Sequence, residues 1–331
     1  MNATRLKTEY LTDPVGIDIC RPRLFWNCEG GQRQTAFQIV ASDDGGAPLW
    51  DSGRVESGSM RAEWGGSPVP AKTKVIWKVR LWDENGAPGP WREASFETGL
   101  DHWLAAWITG DYKPDPKRRY PVDCFRKTFS VSGVKKARLY ITACGLYEAK
   151  LNGSRVGNMV LAPGITDYRK RVQYQTYDVT GLLREGENEL TVQLADGWYR
   201  GSCGAWGLKN QYGTQTKLLA QLELLQVDGD ARTIVTDGSW DWSNDGPIRF
   251  ADNKDGEVVE AVRVPGYGGK AKVTAHNVAP AASNNVPVTE HEQFKPILIT
   301  TPSGKTVLDF GQNIAGYARF TVKARAGQKI F

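Results

Sequence analysis

Nearly every apolar segment of the chain alternates with period two, and no stripe of period 3.6 persists for the length of a helix. The pattern predicts an all-β protein. In the run Val75 to Trp82, Val75, Trp77, Val79 and Leu81 share one face, while Lys78, Arg80 and Trp82 take the other. Further strands are predicted at Thr35–Ala41, Leu49–Asp51 and Ala94–Thr98, separated by turn material at Asp43-Asp44-Gly45-Gly46 and Glu84-Asn85-Gly86. Short strands at this spacing predict an immunoglobulin-like sandwich over residues 1–100.

A boundary is expected near Gly99–Trp107, ahead of a Pro-rich, basic loop at Tyr112–Pro121. A second β domain, residues 101–288, follows. Its predicted strands are Cys124–Val131, Lys136–Ala143, Tyr147–Leu151, Val172–Tyr177, Glu189–Ala195, Lys217–Val227 and Arg232–Thr236, the last two joined by a turn at Asp228-Gly229. Leu139 and Ile141 oppose Tyr140 and Thr142, and Leu190, Val192 and Leu194 oppose Glu189, Thr191 and Gln193, so each sheet should have one buried and one solvated face. Seven or more antiparallel strands predict a jelly-roll-like sandwich. Ala279–Val288 reads as a second linker, after which strand patterns resume at Ile297–Thr300, Thr306–Asp309 and Arg319–Lys323. Gln328-Lys329-Ile330-Phe331 looks like the interior of one more strand. Residues 289–331 are too few to bury a core alone, so they read as the incomplete start of a further β-sandwich, and the chain as truncated.

Composition agrees with this picture. The 331 residues allow two or three domains, and 40% hydrophobic with 24% charged residues exclude disorder and fibres. Twelve Trp, 36 Gly and 17 Pro suit many short strands joined by tight turns. The net charge of +5 is spread along the chain, and the basic runs Lys117-Arg118-Arg119 and Arg169-Lys170-Arg171 stand beside Asp115 and Asp167, as solvated loops do. No nucleic-acid partner is implied. No run approaches the roughly 18 apolar residues of a membrane span, and Met1–Leu11 lacks the apolar core of a signal peptide. Five cysteines, Cys20, Cys28, Cys124, Cys144 and Cys203, are an odd number, which favours reduced thiols and a cytoplasmic location.

Standard catalytic and cofactor patterns are missing. His291-Glu292 has no second His four residues on, no C-x-x-C occurs, and neither Gly-rich phosphate motif is found, so no metal, cofactor or catalytic residue is assigned. Asp309-Phe310-Gly311 mimics a kinase triplet but stands without a phosphate loop or an H-R-D motif. Asn152-Gly153-Ser154 fits a glycosylation acceptor, yet between two strands Asn152-Gly153 reads better as a type I′ hairpin turn. One stretch mixes flat rings with polar groups: Asp196-Gly197-Trp198-Tyr199-Arg200-Gly201, followed by Trp206. A pyranose offers an apolar C–H face and hydroxyls to such a surface, while tryptophan in a sandwich more often packs under a loop or at a domain interface. Trp198, Tyr199 and Trp206 are therefore the candidate substrate-binding or interdomain residues.

Several stretches together resemble the bacterial α-L-rhamnosidase family of multidomain glycoside hydrolases. Ala137-Arg138-Leu139-Tyr140-Ile141, Gly145-Leu146-Tyr147-Glu148, Leu151-Asn152-Gly153 and Leu161 through Tyr168 resemble its amino-terminal β domain. Gln175 through Thr180, Asp196-Gly197-Trp198-Tyr199 and Asp255-Gly256-Glu257 continue the likeness. Asp309-Phe310-Gly311-Gln312-Asn313, Gly316 and Ala326-Gly327 resemble the opening of the next sandwich, and residues 1–100, with Arg33 through Phe37 and Phe96 through Gly99, resemble a leading fibronectin type III-like domain. The resemblance implies that the hydrolytic carboxylates lie in a later helical barrel with an RDER-like motif, which this chain lacks. Family enzymes invert, which implies carboxyls roughly 6.5–9.5 Å apart in that barrel. The leading expectation is a non-catalytic amino-terminal region of such an enzyme, inactive alone, whose partners are the downstream catalytic domain and rhamnose-containing glycosides or polysaccharides. The alternatives are a free-standing carbohydrate-binding module and, last, a complete enzyme.

Overall fold

The computed structural model describes residues 1–325 and 327–329. It comprises two compact units, Met1–Val288 and Thr289–Phe331. The first unit begins with a sandwich. One sheet runs, in spatial order, Val15–Ile17, Arg92–Thr98, Lys74–Trp82, Ala36–Asp43 and Pro48–Asp51, and the facing sheet runs Asn2–Thr8, Arg23–Glu29 and Arg61–Glu63. Register pairs Phe37 with Leu81, Ile39 with Val79 and Ala41 with Trp77, so the apolar alternation of both strands falls on one face and meets Leu24, Trp26 and Trp64 in the core. Trp82, on the face opposite Leu81, is buried as well. The guanidinium groups of Arg80 and Arg54 lie 4.8 and 5.0 Å from its ring and cover it.

A larger two-sheet sandwich follows. Its first sheet orders Lys272–Thr274, Trp107–Thr109, Lys217–Gln226, Val134–Cys144, Val172–Asp178 and Pro280–Ala282, with Ala231–Val235 also pairing Lys217–Gln226. The second orders Ser154–Arg155, Leu146–Leu151, Gly186–Ala195, Asp123–Val131, Asp241–Ser243 and Gly269–Lys270. Leu139, Ile141, Leu190, Val192 and Leu194 meet Leu218, Leu222 and Phe125 between the sheets. The Asn152-Gly153 turn has φ of +53° and +80°, the type I′ pattern, and the Asn152 amide donates to the Leu182 carbonyl and to Asn188 Oδ1.

Three expectations are corrected. Tyr140 and Thr142, assigned to a solvated face, are buried, because Leu100, Trp103, Tyr174 and Ala282 close over the outside of that sheet. Ala279–Val288 is no linker: Pro280–Ala282 adds a parallel strand beside Val172–Tyr174, and Asn284 and Asn285 hydrogen-bond to Arg171 and Gln173. In the second unit Ile297–Thr300 and Thr306–Asp309 pair as an antiparallel hairpin. Arg319–Lys323 forms no strand, since among the described residues it has no ladder partner. Of Ala326-Gly327 and the strand expected over Gln328–Phe331, the residues Ala326, Ile330 and Phe331 lie outside the described residues.

Candidate functional site

The aromatic stretch lies where Gly186–Ala195 leaves its sheet. Asp196 starts a single helical turn, Gly197–Arg200, and Gly197 holds φ of +52° with Leu146 so close that a Cβ would sit 2.6 Å from its Cγ. Only glycine fits there. The turn folds Arg200 back onto Asp196, Nε to Oδ1 at 2.8 Å, and points it at the Tyr112 hydroxyl. Asp123, with no exposed surface, accepts hydrogen bonds from Trp242 Nε1 at 3.0 Å, from the Tyr112 hydroxyl at 3.3 Å and from Thr216 Oγ1. Burial pushes the Asp123 and Asp196 carboxyls up, and the nearby Arg200 guanidinium opposes it. Arg200 is itself raised by these acids against the desolvation that would lower it.

Two neighbouring acids with raised pKa invite an acid–base reading. Their surroundings refuse it. Asp123 is sealed from solvent and Asp196 is held by Arg200, so both carboxyls are engaged within the fold. The network instead satisfies buried polar groups at the end of the sandwich and fixes the loop that follows.

The three sequence-selected aromatics part company. Tyr199 is buried, edge-on to Tyr168 at 5.2 Å and near-parallel to Tyr212 at 6.4 Å. Trp198 is half-buried against the same cluster of Trp107, Cys144 and Tyr168. Trp206 is 88% exposed at the tip of the next loop. Sequence reading missed Asp123, Tyr112, Trp242 and Lys254, which hold this region; only the Asp196/Arg200 spacing of four was a visible signal.

Comparison with known proteins places this geometry. Residues 132–301 match the family model of the α-L-rhamnosidase N-terminal domain, residues 3–102 that of a Rha78A-like N-terminal immunoglobulin domain, and residues 299–331 that of the bacterial α-L-rhamnosidase concanavalin-like domain. An α-L-rhamnosidase of Alteromonas sp. (strain LOR) is 32% identical over 99% of this chain and 39% of its own length. Among solved structures, an α-L-rhamnosidase from Aspergillus terreus superposes with a TM-score of 0.85 at 32% identity, covering 95% of this chain and 39% of that one. The Streptomyces avermitilis α-L-rhamnosidase complexed with L-rhamnose gives 0.83 at 26% identity, covering 95% and 49%. The chain thus spans less than half the length of these relatives. With the N-terminal domain model matched over half its residues and the immunoglobulin domain ahead of it, the chain belongs to the α-L-rhamnosidase family and corresponds to its amino-terminal region.

Proposed function

We propose that this chain is the non-catalytic amino-terminal region of a multidomain α-L-rhamnosidase whose longer form hydrolyses terminal α-L-rhamnosides with inversion. The observation that carries this reading is the order of the matches along the chain: immunoglobulin domain, N-terminal domain, then the opening of the concanavalin-like domain. The sealed Asp123 and the Arg200-bound Asp196 support it, because the acids with raised pKa serve the fold and not a cleft. In this reading the second sandwich is jelly-roll-like, the downstream catalytic domain is the partner, and rhamnose-containing glycosides are the substrates. Five unpaired thiols favour a cytoplasmic location. One observation favours a second reading as a carbohydrate-binding module: the exposed indole of Trp206.

Purified 1–331 should not turn over an aryl α-L-rhamnoside, whereas the chain extended through its natural downstream sequence should. Acid–base assistance alone contributes roughly 10²–10⁴-fold, and in this reading the groups that supply it lie in the downstream catalytic domain. A steady-state assay of both forms checks this. Turnover by the short form, abolished by replacing one of its own Asp or Glu residues, overturns the reading.

A further inference from the structure

The loop after Arg200 is fixed from three sides. Cys203 and Leu208 exchange backbone hydrogen bonds of 2.9 and 3.0 Å, so the segment between them closes into a tight turn. Lys254 Nζ donates to the Gly204 carbonyl at 2.6 Å and to that of Ala205 at 3.3 Å, and Asn210 Nδ2 donates to the Pro116 carbonyl at 3.1 Å. On the tip of this clamped turn stands Trp206, with its indole in water. Burying that ring against a ligand costs little backbone entropy, because the backbone is already held.

Cations border the turn. Lys209 and Arg119 share one carboxylate, Asp255, at 3.1 and 2.7 Å, and Lys254 meets carbonyl oxygens on the loop itself. Lys117 and Arg118 are exposed on the adjoining loop, next to the Pro116 carbonyl that Asn210 grips. Asp255 lies between two of these cations, and Asp252 and Asp115 accept from the backbone of Lys254 and Lys117, so five cations stand against three carboxylates and the segments bordering the turn keep a net positive charge.

We propose that the Trp206 turn is a binding site for an acidic saccharide: the indole stacks on the C–H face of a pyranose, and the cations from Lys209, Arg119, Lys254 and the 117–118 pair take its carboxylate or sulfate. A docking protein fits less well, since interface cores are depleted in lysine and three lysines stand here. Single-stranded nucleic acid is bound on successive aromatic platforms, and Trp206 is one ring. The choice of a saccharide rests on reading the chain as part of a glycosidase.

Affinity electrophoresis of 1–331 through gels containing polygalacturonate, neutral dextran or poly(dT) tests it. Retardation is expected with polygalacturonate and not with dextran, weakening as salt rises from about 20 to about 300 mM. Trp206→Ala should weaken the polygalacturonate affinity about tenfold, the order expected for one aromatic platform. Lys117→Glu, at an exposed position, should weaken it without touching the clamp. Circular dichroism of both variants checks that the fold is kept. No retardation by polygalacturonate, equal affinity for poly(dT), or an unaltered Trp206→Ala variant overturns the proposal. None of these outcomes depends on rhamnoside turnover by the extended protein, so the site and the glycosidase reading can fail separately.

Discussion

At the residue scale, burial rather than residue type decides what each titratable group does. His276 is half-buried, edge-on to Trp107 at 5.4 Å, with Nε2 3.0 Å from the Tyr168 carbonyl. Burial and the charge of Lys217 lower its pKa, and the Tyr168 contact works the other way. A histidine harder to protonate when folded binds fewer protons than the unfolded chain below about pH 6.5, so its contribution to stability is complete above that pH and declines as pH falls through it. Thermal midpoints measured from about pH 7.5 down to about pH 5 should therefore fall more steeply for the native protein than for His276→Gln. Parallel curves would show that His276 carries no linkage. The buried thiols follow the same physics: Cys124 and Cys144 are pushed up to about 11 and about 12, chiefly by desolvation, which makes them poor nucleophiles.

At the element scale, what matters is whether a strand finds a partner. Pro280–Ala282 has little strand propensity, yet it pairs with Val172–Tyr174 and buries Ala282, whose amide donates to Asp18. Ile297–Thr300 and Thr306–Asp309 have far higher propensity, yet their hairpin exposes Ile297, Leu298 and Leu308. A lone two-stranded hairpin is marginal in water. Limited proteolysis should accordingly cut first beyond Val288, within the second unit, and leave Ala279–Ser283 protected. Mass spectrometry of the earliest fragments reads the position, and a first cut between Ala279 and Ser283 would contradict the pairing.

At the scale of the whole Met1–Val288 unit, the two sandwiches meet through buried charge. Glu97, 2% exposed on the first, receives Arg138 of the second in two hydrogen bonds of 2.9 and 2.8 Å, while Lys136 lies 3.2 Å away and Asp178 takes the other side of Arg138 at 2.8 Å. Nearby, the Tyr174 hydroxyl donates to Asp18 at 2.7 Å, and Gly16 lies so near Thr176 that a Cβ would come within 2.0 Å of its hydroxyl. Glu97→Ala leaves Arg138 buried with Asp178 as its one carboxylate partner, and should cost about 3 kcal/mol in unfolding free energy by denaturant titration. A loss below about 1 kcal/mol would mean that the pair is solvated. The sequence by itself determined the local terms. Period-two alternation set the strands from Val75 to Trp82 and from Lys136 to Ala143, Asn-Gly set a turn whose φ values only such residues adopt readily, and ordered motifs set the family resemblance. It left open which faces are covered, because alternation reports that a strand has two sides and not what a distant segment lays across one of them. Tyr140 is buried by Leu100, Trp103 and Tyr174, Asp123 accepts hydrogen bonds from Tyr112, Trp242 and Thr216, and Tyr199 separates from Trp206 by burial alone. Those are long-range contacts, fixed when desolvation and hydrogen-bond satisfaction are settled together in the packed molecule.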